Sequence, residues 1–223
     1  MGHVLFLLEP LAEVARANRF WMTWNLILAA VPLVLAVPVF RWTGRRGVGW
    51  WAGLALVALF LPNAPYVVTD LVQLRGDVLA ARSDGAVISG VLPVYGVFIA
   101  LGFASYALVL RESGRFLAAR GLARWRTAAE VATHVACAVG VLLGRVARLN
   151  SWEPVTEPHS TAERVVLTLT WRMAPLAVVA LFLAIWAGHA VTRSLGRTAA
   201  QALGALGGRL RATLEHRLGL RPL

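Results

Sequence analysis

Residues 48–70 read VGWWAGLALVALFLPNAPYVVTD, and the interpretation of this stretch decides the fold. The fourteen residues from Val48 to Leu61 carry no charge, as a helix crossing a bilayer requires. At about 1.5 Å per residue they rise only about 21 Å, short of a hydrocarbon core about 30 Å thick. The block then runs into Pro62-Asn63-Ala64-Pro65-Tyr66, and no charge follows until Asp70. The chain from Pro62 to Thr69 is therefore expected to complete the crossing in kinked or unwound form. Each proline removes an amide donor and leaves a carbonyl in need of a partner. Within lipid, such backbone is tolerated only where protein buries it or a wet cavity borders it. Asn63, Tyr66, Thr69 and Asp70 are placed to satisfy those groups or to bind something else. The plainer alternative is an ordinary helix end followed by a loop.

The rest of the chain supports a membrane setting. Of its 223 residues 58% are hydrophobic and 15% charged, against about 45–50% and about 25% in soluble domains. A disordered chain is excluded, because such chains are poor in hydrophobes. Cys137 is the only cysteine, which excludes an internal disulfide scaffold. All 22 basic residues are Arg and lie between apolar blocks, a placement that orients helices in a bilayer and argues against a nucleic-acid partner. Four further spans are expected: Trp21 to Phe40, Ala86 to Leu110, the short Val131 to Gly144, and Val165 to Thr192. The expected fold is an all-α, polytopic transmembrane helix bundle of about five spans, the second broken at Pro62–Pro65. Residues 1–20 form an interfacial segment, 21–192 the bundle and 193–223 a basic amphipathic tail. In that tail Leu195, Ala199, Leu203, Leu206, Leu210, Leu214 and Leu218 draw an apolar stripe, with Arg197, Arg209, Arg211 and Arg217 mostly off it. Such a helix suits an anionic leaflet, so membrane lipids are the expected partner; a frayed solvated tail is the alternative. Counting Arg on the two sides, seven against fourteen, puts the N-terminus outside and the C-terminus in the cytoplasm of a plasma (bacterial inner) membrane.

The fourth span ends in Gly144-Arg145-Val146-Ala147-Arg148-Leu149-Asn150-Ser151-Trp152-Glu153. Arg145 and Arg148, three apart, would share a helical face. Two Arg at the outer end of a span run against the charge bias, so they should answer to something negative: Asp70, Glu153, a lipid phosphate or an anionic ligand. A structural ion pair locking the second and fourth spans is the alternative. Arg172 falls about two turns inside the fifth apolar stretch, where a charge needs an interior partner, and Asp70 is the partner expected. If that span begins at Met173 instead, Arg172 is only an interface anchor. Glu130 and His134 read as a helix-end acid and a buried, hydrogen-bonded His in preference to a proton relay. Asp77, Asp84, Glu153, Glu157 and His159 read as solvated loop groups without metal spacing. Ala136, Gly140 and Gly144 on the fourth span and Gly96, Ala100 and Ala104 on the third read as packing ridges. No dinucleotide loop, P-loop, nucleophile elbow or zinc motif occurs, and neither a cofactor nor a metal is expected.

Three stretches resemble the membrane proteins carrying domain of unknown function 1361. They are Trp24-Asn25-Leu26-Ile27-Leu28-Ala29 with Pro32; Leu61-Pro62-Asn63-Ala64-Pro65-Tyr66 with Thr69-Asp70-Leu71; and Gly144-Arg145 with Arg148-Leu149-Asn150-Ser151-Trp152-Glu153. The resemblance covers roughly residues 20 to 190. Glu153 stands where the pattern has Asp, and Gln73 where it has His; the region before residue 20 is shorter than the pattern implies, by about one span. The resemblance implies no particular activity. Residues and resemblance together point to an ionic site at the extracytoplasmic end of the bundle. Its expected members are Asn25, Asn63, Tyr66, Asp70, Arg145, Arg148, Asn150, Trp152 and Glu153, with Arg172 in reserve. The expected function is binding or transport of a small anionic or lipid-linked ligand. The alternatives are an envelope-lipid-modifying enzyme, for which Tyr66, Asp70, Ser151 or Glu153 would have to act, and a structural or accessory subunit.

Overall fold

A computed structural model describes the backbone of residues 2–218 and the side chains of residues 9–207. The described chain is helical apart from short connections, and five helices are long and apolar enough to cross a membrane: Glu9–Arg41, Val48–Ala80, Asp84–Ala118, Ala123–Ala147 and Ala174–Gly207. Their outward faces are apolar: Phe20, Val34, Val97 and Val179 are all more than half exposed. That inverts the pattern of a soluble protein and is what a lipid-facing surface needs. The protein is an all-α bundle embedded in a membrane.

Helix α1 (Gly2–Arg41) is one element of about 60 Å, in which the N-terminal segment and the first span share a continuous helix. Its buried line of Met22, Ala29, Pro32 and Ala36 packs on α6 (Leu92–Ala118), where the small residues let the backbones close until the Ser105 hydroxyl donates to Ala29 O at 2.7 Å. At one end this pair is tied by Glu112, which accepts two bonds from Arg41 (2.9 and 3.0 Å) and one from Arg115 (2.8 Å). At the same end Trp50, on α2 (Val48–Phe60), stacks on Phe116 and donates to Val39 O.

The second span does not unwind. After α2 come a short α3 (Asn63–Tyr66), a 3₁₀ turn (Val67–Asp70) and α4 (Leu71–Ala80), all with right-handed helical backbone. Proline 65 removes the donor that Leu61 O would have met in a regular helix, and the neighbourhood adjusts locally. Leu61 O is taken by the Ala64 amide, and Phe60 O by the Asn63 side chain at 2.9 Å. The segment is wedged between two glycines. A Cβ on Gly102 of α6 would sit 2.6 Å from Val67 and 2.8 Å from Ala64 O. A Cβ on Gly140, on α7 (Arg126–Leu142), would sit 2.5 Å from the Pro62 ring. Gly140 therefore packs as expected, but the third-span ridge is Gly102; Gly96 and Ala100 point out of the bundle.

A three-residue helix α5 (Asp84–Ala86) and a π turn (Val87–Val91) lead into α6. Beyond α7 the chain makes a second π turn (Leu143–Ala147), the short α8 (Glu153–Thr156), α9 (Pro158–Leu169) and α10 (Ala174–Leu218). The fifth span starts at Ala174, not Val165: the turn over residues 170–173 separates the more polar α9 from it. The tail is a direct continuation of α10, in which Leu195, Leu203 and Leu206 are exposed. The side chains of Leu210, Leu214 and Leu218 lie outside the described residues. His134 is buried and bonded to the Tyr106 hydroxyl at 2.7 Å, and Cys137 is buried beside it on α7. Asp77 is not a solvated loop acid: Asn18 and Tyr95 both donate to its Oδ2, at 2.8 and 2.9 Å.

Candidate functional site

Asp70 ends the 3₁₀ turn with only 2% of its surface exposed. A buried carboxylate must be paired and hydrogen-bonded, and two elements supply the partners. From α1, Asn25 donates to Oδ2 at 2.8 Å. From the π turn, Arg145 donates to Oδ1 at 2.8 Å and also to the Thr69 hydroxyl at 2.6 Å. The Arg145 guanidinium lies 4.8 Å from the centre of the Tyr66 ring, a cation–π contact. The ion pair between the second and fourth spans that the sequence offered as the alternative to a ligand thus exists, with Arg145 as its cation.

Arg148 does something else. The π turn adds a residue to the helical turn, and Arg148 itself takes a left-handed backbone (φ 53°, ψ 37°) that ends the span. The two Arg therefore do not share a helical face, and no acid among the described residues pairs with Arg148. A left-handed non-glycine residue costs about 1–3 kcal/mol and is concentrated at functional sites. Both Arg still meet, because both line one cavity of about 530 Å³, within the usual range for ligand sites.

Seven of the ten expected residues line this cavity: Asn25, Asn63, Tyr66, Arg145, Arg148, Asn150 and Trp152. Asp70 lies beneath it as the buried anchor of Arg145. Asn63 reaches across the cavity wall and donates to the Ser151 hydroxyl at 2.8 Å, joining the second span to the loop after the fourth. Glu153 faces away from the Arg pair. It accepts from Asn150 at 2.6 Å and from Arg164 of α9 at 3.1 Å. The Asn150 bond, followed by the Arg164 charge, holds its carboxyl below the usual glutamate range. Arg172, expected inside the span, instead sits exposed in the turn before α10, makes no ion pair among the described residues and does not reach Asp70. A span that starts at Ala174 removes the reason for an interior partner.

Three contributors were not among the expected site residues. Arg164 fixes Glu153, and Trp24 adds an indole to the cavity wall. Thr161, on α9, is 6% exposed and lines the same cavity, and its Oγ1 is a buried polar atom without a hydrogen-bond partner. Buried hydroxyls are rarely left unbonded, so this one marks a place where a bound group would find a donor. Among the described residues no three His, Cys, Asp or Glu side chains are grouped to hold a metal ion.

No curated protein and no solved structure matches the chain at a significant level. A family model does, over residues 24–187, from Trp24 beside the cavity into the first third of α10. It covers all three quoted stretches and every residue placed around Asp70. The chain belongs to the family described as Protein of unknown function (DUF1361).

Proposed function

We propose that the chain is a binding or transport protein for a small anionic or lipid-linked ligand, received in the cavity above Asp70. Arg148 carries the reading: among the described residues it is an unpaired guanidinium, on strained backbone, at a cavity that also holds a buried Thr161 hydroxyl with no partner there. Its planar fork of donors matches a phosphate or carboxylate. Arg145 is already committed to Asp70 and positions Tyr66 and the cavity floor. The apolar wall from Leu28, Leu59 and Leu143 suits the chain of a lipid-linked ligand. An enzyme acting here has less support, because Asp70 is ion-paired and Glu153 is held by Arg164.

The test is thermal unfolding of the full chain in detergent with a short-chain polyprenyl monophosphate and, separately, with inorganic phosphate. The expected result is stabilisation of the parent protein by one of the two and none of Arg148→Gln. Absence of a shift with both probes, or an equal shift in the variant, would overturn the proposal.

The orientation we propose places the Asp70 end outside and the C-terminus in the cytoplasm of the plasma membrane of a bacterium, on the excess of Arg at the opposite end. Cys137 is only 1% exposed, so His159→Cys and Thr198→Cys each report alone. An impermeant maleimide applied to intact cells should label the first and not the second; the reverse pattern would overturn the orientation.

A further inference from the structure

A second cavity, of about 540 Å³, lies between α6, α7 and α10 at the end of the bundle away from Asp70. Four guanidinium groups and one carboxylate line it. Glu130 accepts from Arg126 at 3.1 Å and from Arg193 at 3.2 Å, so those two cations are neutralised in part. Arg111 and Arg197 have no acidic partner among the described residues, and Arg197 spends only its Nε, on Arg193 O. The cavity is therefore net positive.

Its inner wall is His189, which is 4% exposed. The ring packs edge-on against Tyr106 and His134 and makes no hydrogen bond among the described residues. Its nitrogens are not sealed off as the Thr161 hydroxyl is, so a group entering the cavity can hydrogen-bond to them. The way in is apolar. Leu101, Ala104, Leu108 and Arg111 follow one face of α6 at helical spacing, with Leu101 and Leu108 about half exposed. Opposite them on α10, Gly196 has open space where a Cβ would stand. An apolar track rising to two free guanidinium groups has the shape of a glycerophospholipid: chain below, phosphate above.

We infer that this groove is a binding site for an anionic glycerophospholipid. Arg111 and Arg197 hold the phosphate, His189 bonds the ester region, and an acyl chain lies over Ala104 and Leu108. The site is independent of the one proposed above Asp70, at the other end of the bundle. Basic pockets between spans are where such headgroups bind.

The experiment is native mass spectrometry of the delipidated full chain after addition of phosphatidylglycerol or phosphatidylethanolamine. The parent protein should retain phosphatidylglycerol preferentially. The double variant Arg111→Ala/Arg197→Ala should lose that retention by at least about tenfold, and millimolar inorganic phosphate should not displace the lipid. Equal retention of the two lipids, unchanged retention in the double variant, or displacement by inorganic phosphate would each overturn the inference, the last by making this a site for a free anion. Gly196→Leu fills the groove without altering a charge and serves if the double variant does not fold. Loss of phosphatidylglycerol from it supports the site, and retention overturns it. Arg148→Gln should leave lipid retention unchanged, which separates this result from the fate of the first cavity.

Discussion

Replacing Arg145 by Gln removes the cation from a carboxylate that is 2% exposed. The pair has a 2.8 Å N–O contact; with charge centres about 4 Å apart it is worth about 4 kcal/mol at an effective dielectric of about 20. Breaking one side of a buried pair costs about 3–5 kcal/mol, because the remaining charge stays desolvated. Arg145 is itself 36% exposed, and solvent screening places the expected loss at the lower end, about 3 kcal/mol. For a chain of this size that is a fall of roughly 6–12 °C in apparent Tm. Asp70→Asn should cost less, about 1–2 kcal/mol, since the freed guanidinium can turn toward water in the cavity. Combined, the two changes leave neither a buried charge nor an orphaned partner, so the double variant should be more stable than Arg145→Gln alone, with a coupling of about 2 kcal/mol. Thermal unfolding of the four proteins in one detergent measures the cycle. Losses that simply add, within about 0.5 kcal/mol, would refute the argument that the carboxylate is charged and depends on Arg145.

Gly102→Ala should destabilise by about 1–3 kcal/mol, read as a lower Tm, since its methyl would meet Val67 at 2.6 Å and the rigid Ala64 carbonyl at 2.8 Å. Thr161→Val should leave the ligand-free protein unchanged or about 1 kcal/mol more stable, because it deletes an unbonded buried hydroxyl, while weakening stabilisation by any probe that fills the cavity. The Glu153 carboxyl titrates lower in the folded protein than in the unfolded chain. Its contribution is therefore fully present above the ordinary glutamate value of 4.5 and is lost as pH falls through the lowered folded value. Hydrogen exchange over residues 150–157 should rise across that acidic window in the parent protein and show no such step in Glu153→Gln.

Much of the bundle was legible because apolar length is a direct consequence of bilayer thickness: Trp21–Phe40 and Ala86–Leu110 both lie inside observed spans. The Asp70–Arg145 pair was legible because an Arg at the wrong end of a span and an acid after a short one need each other. Regular-helix arithmetic failed where the backbone is not a regular helix. Three-residue spacing placed Arg145 and Arg148 on one face, but the π turn and the left-handed residue 148 redirect the second side chain. Arg172 was read inside a span because hydropathy does not register the turn before Ala174. Asp77 looked solvated because its partners, Asn18 and Tyr95, come from distant spans. Thr161 left no trace, since a hydroxyl in an amphipathic helix becomes unusual only when its surroundings deny it a partner.

The π turn at Leu143–Ala147 has a consequence for how this chain tolerates change in length. A π turn is an α-helix carrying one surplus residue. Deleting Val146 alone would shorten the span by only about 1.5 Å, yet it would rotate everything after the deletion by about 100° about the helix axis. Arg145, which precedes the deletion, would keep its place on the buried acid, while the cation of Arg148 at the cavity mouth would be turned to a new aspect without either arginine being altered. The chemistry at this end of the bundle is thus encoded as much in the count of residues as in their identity.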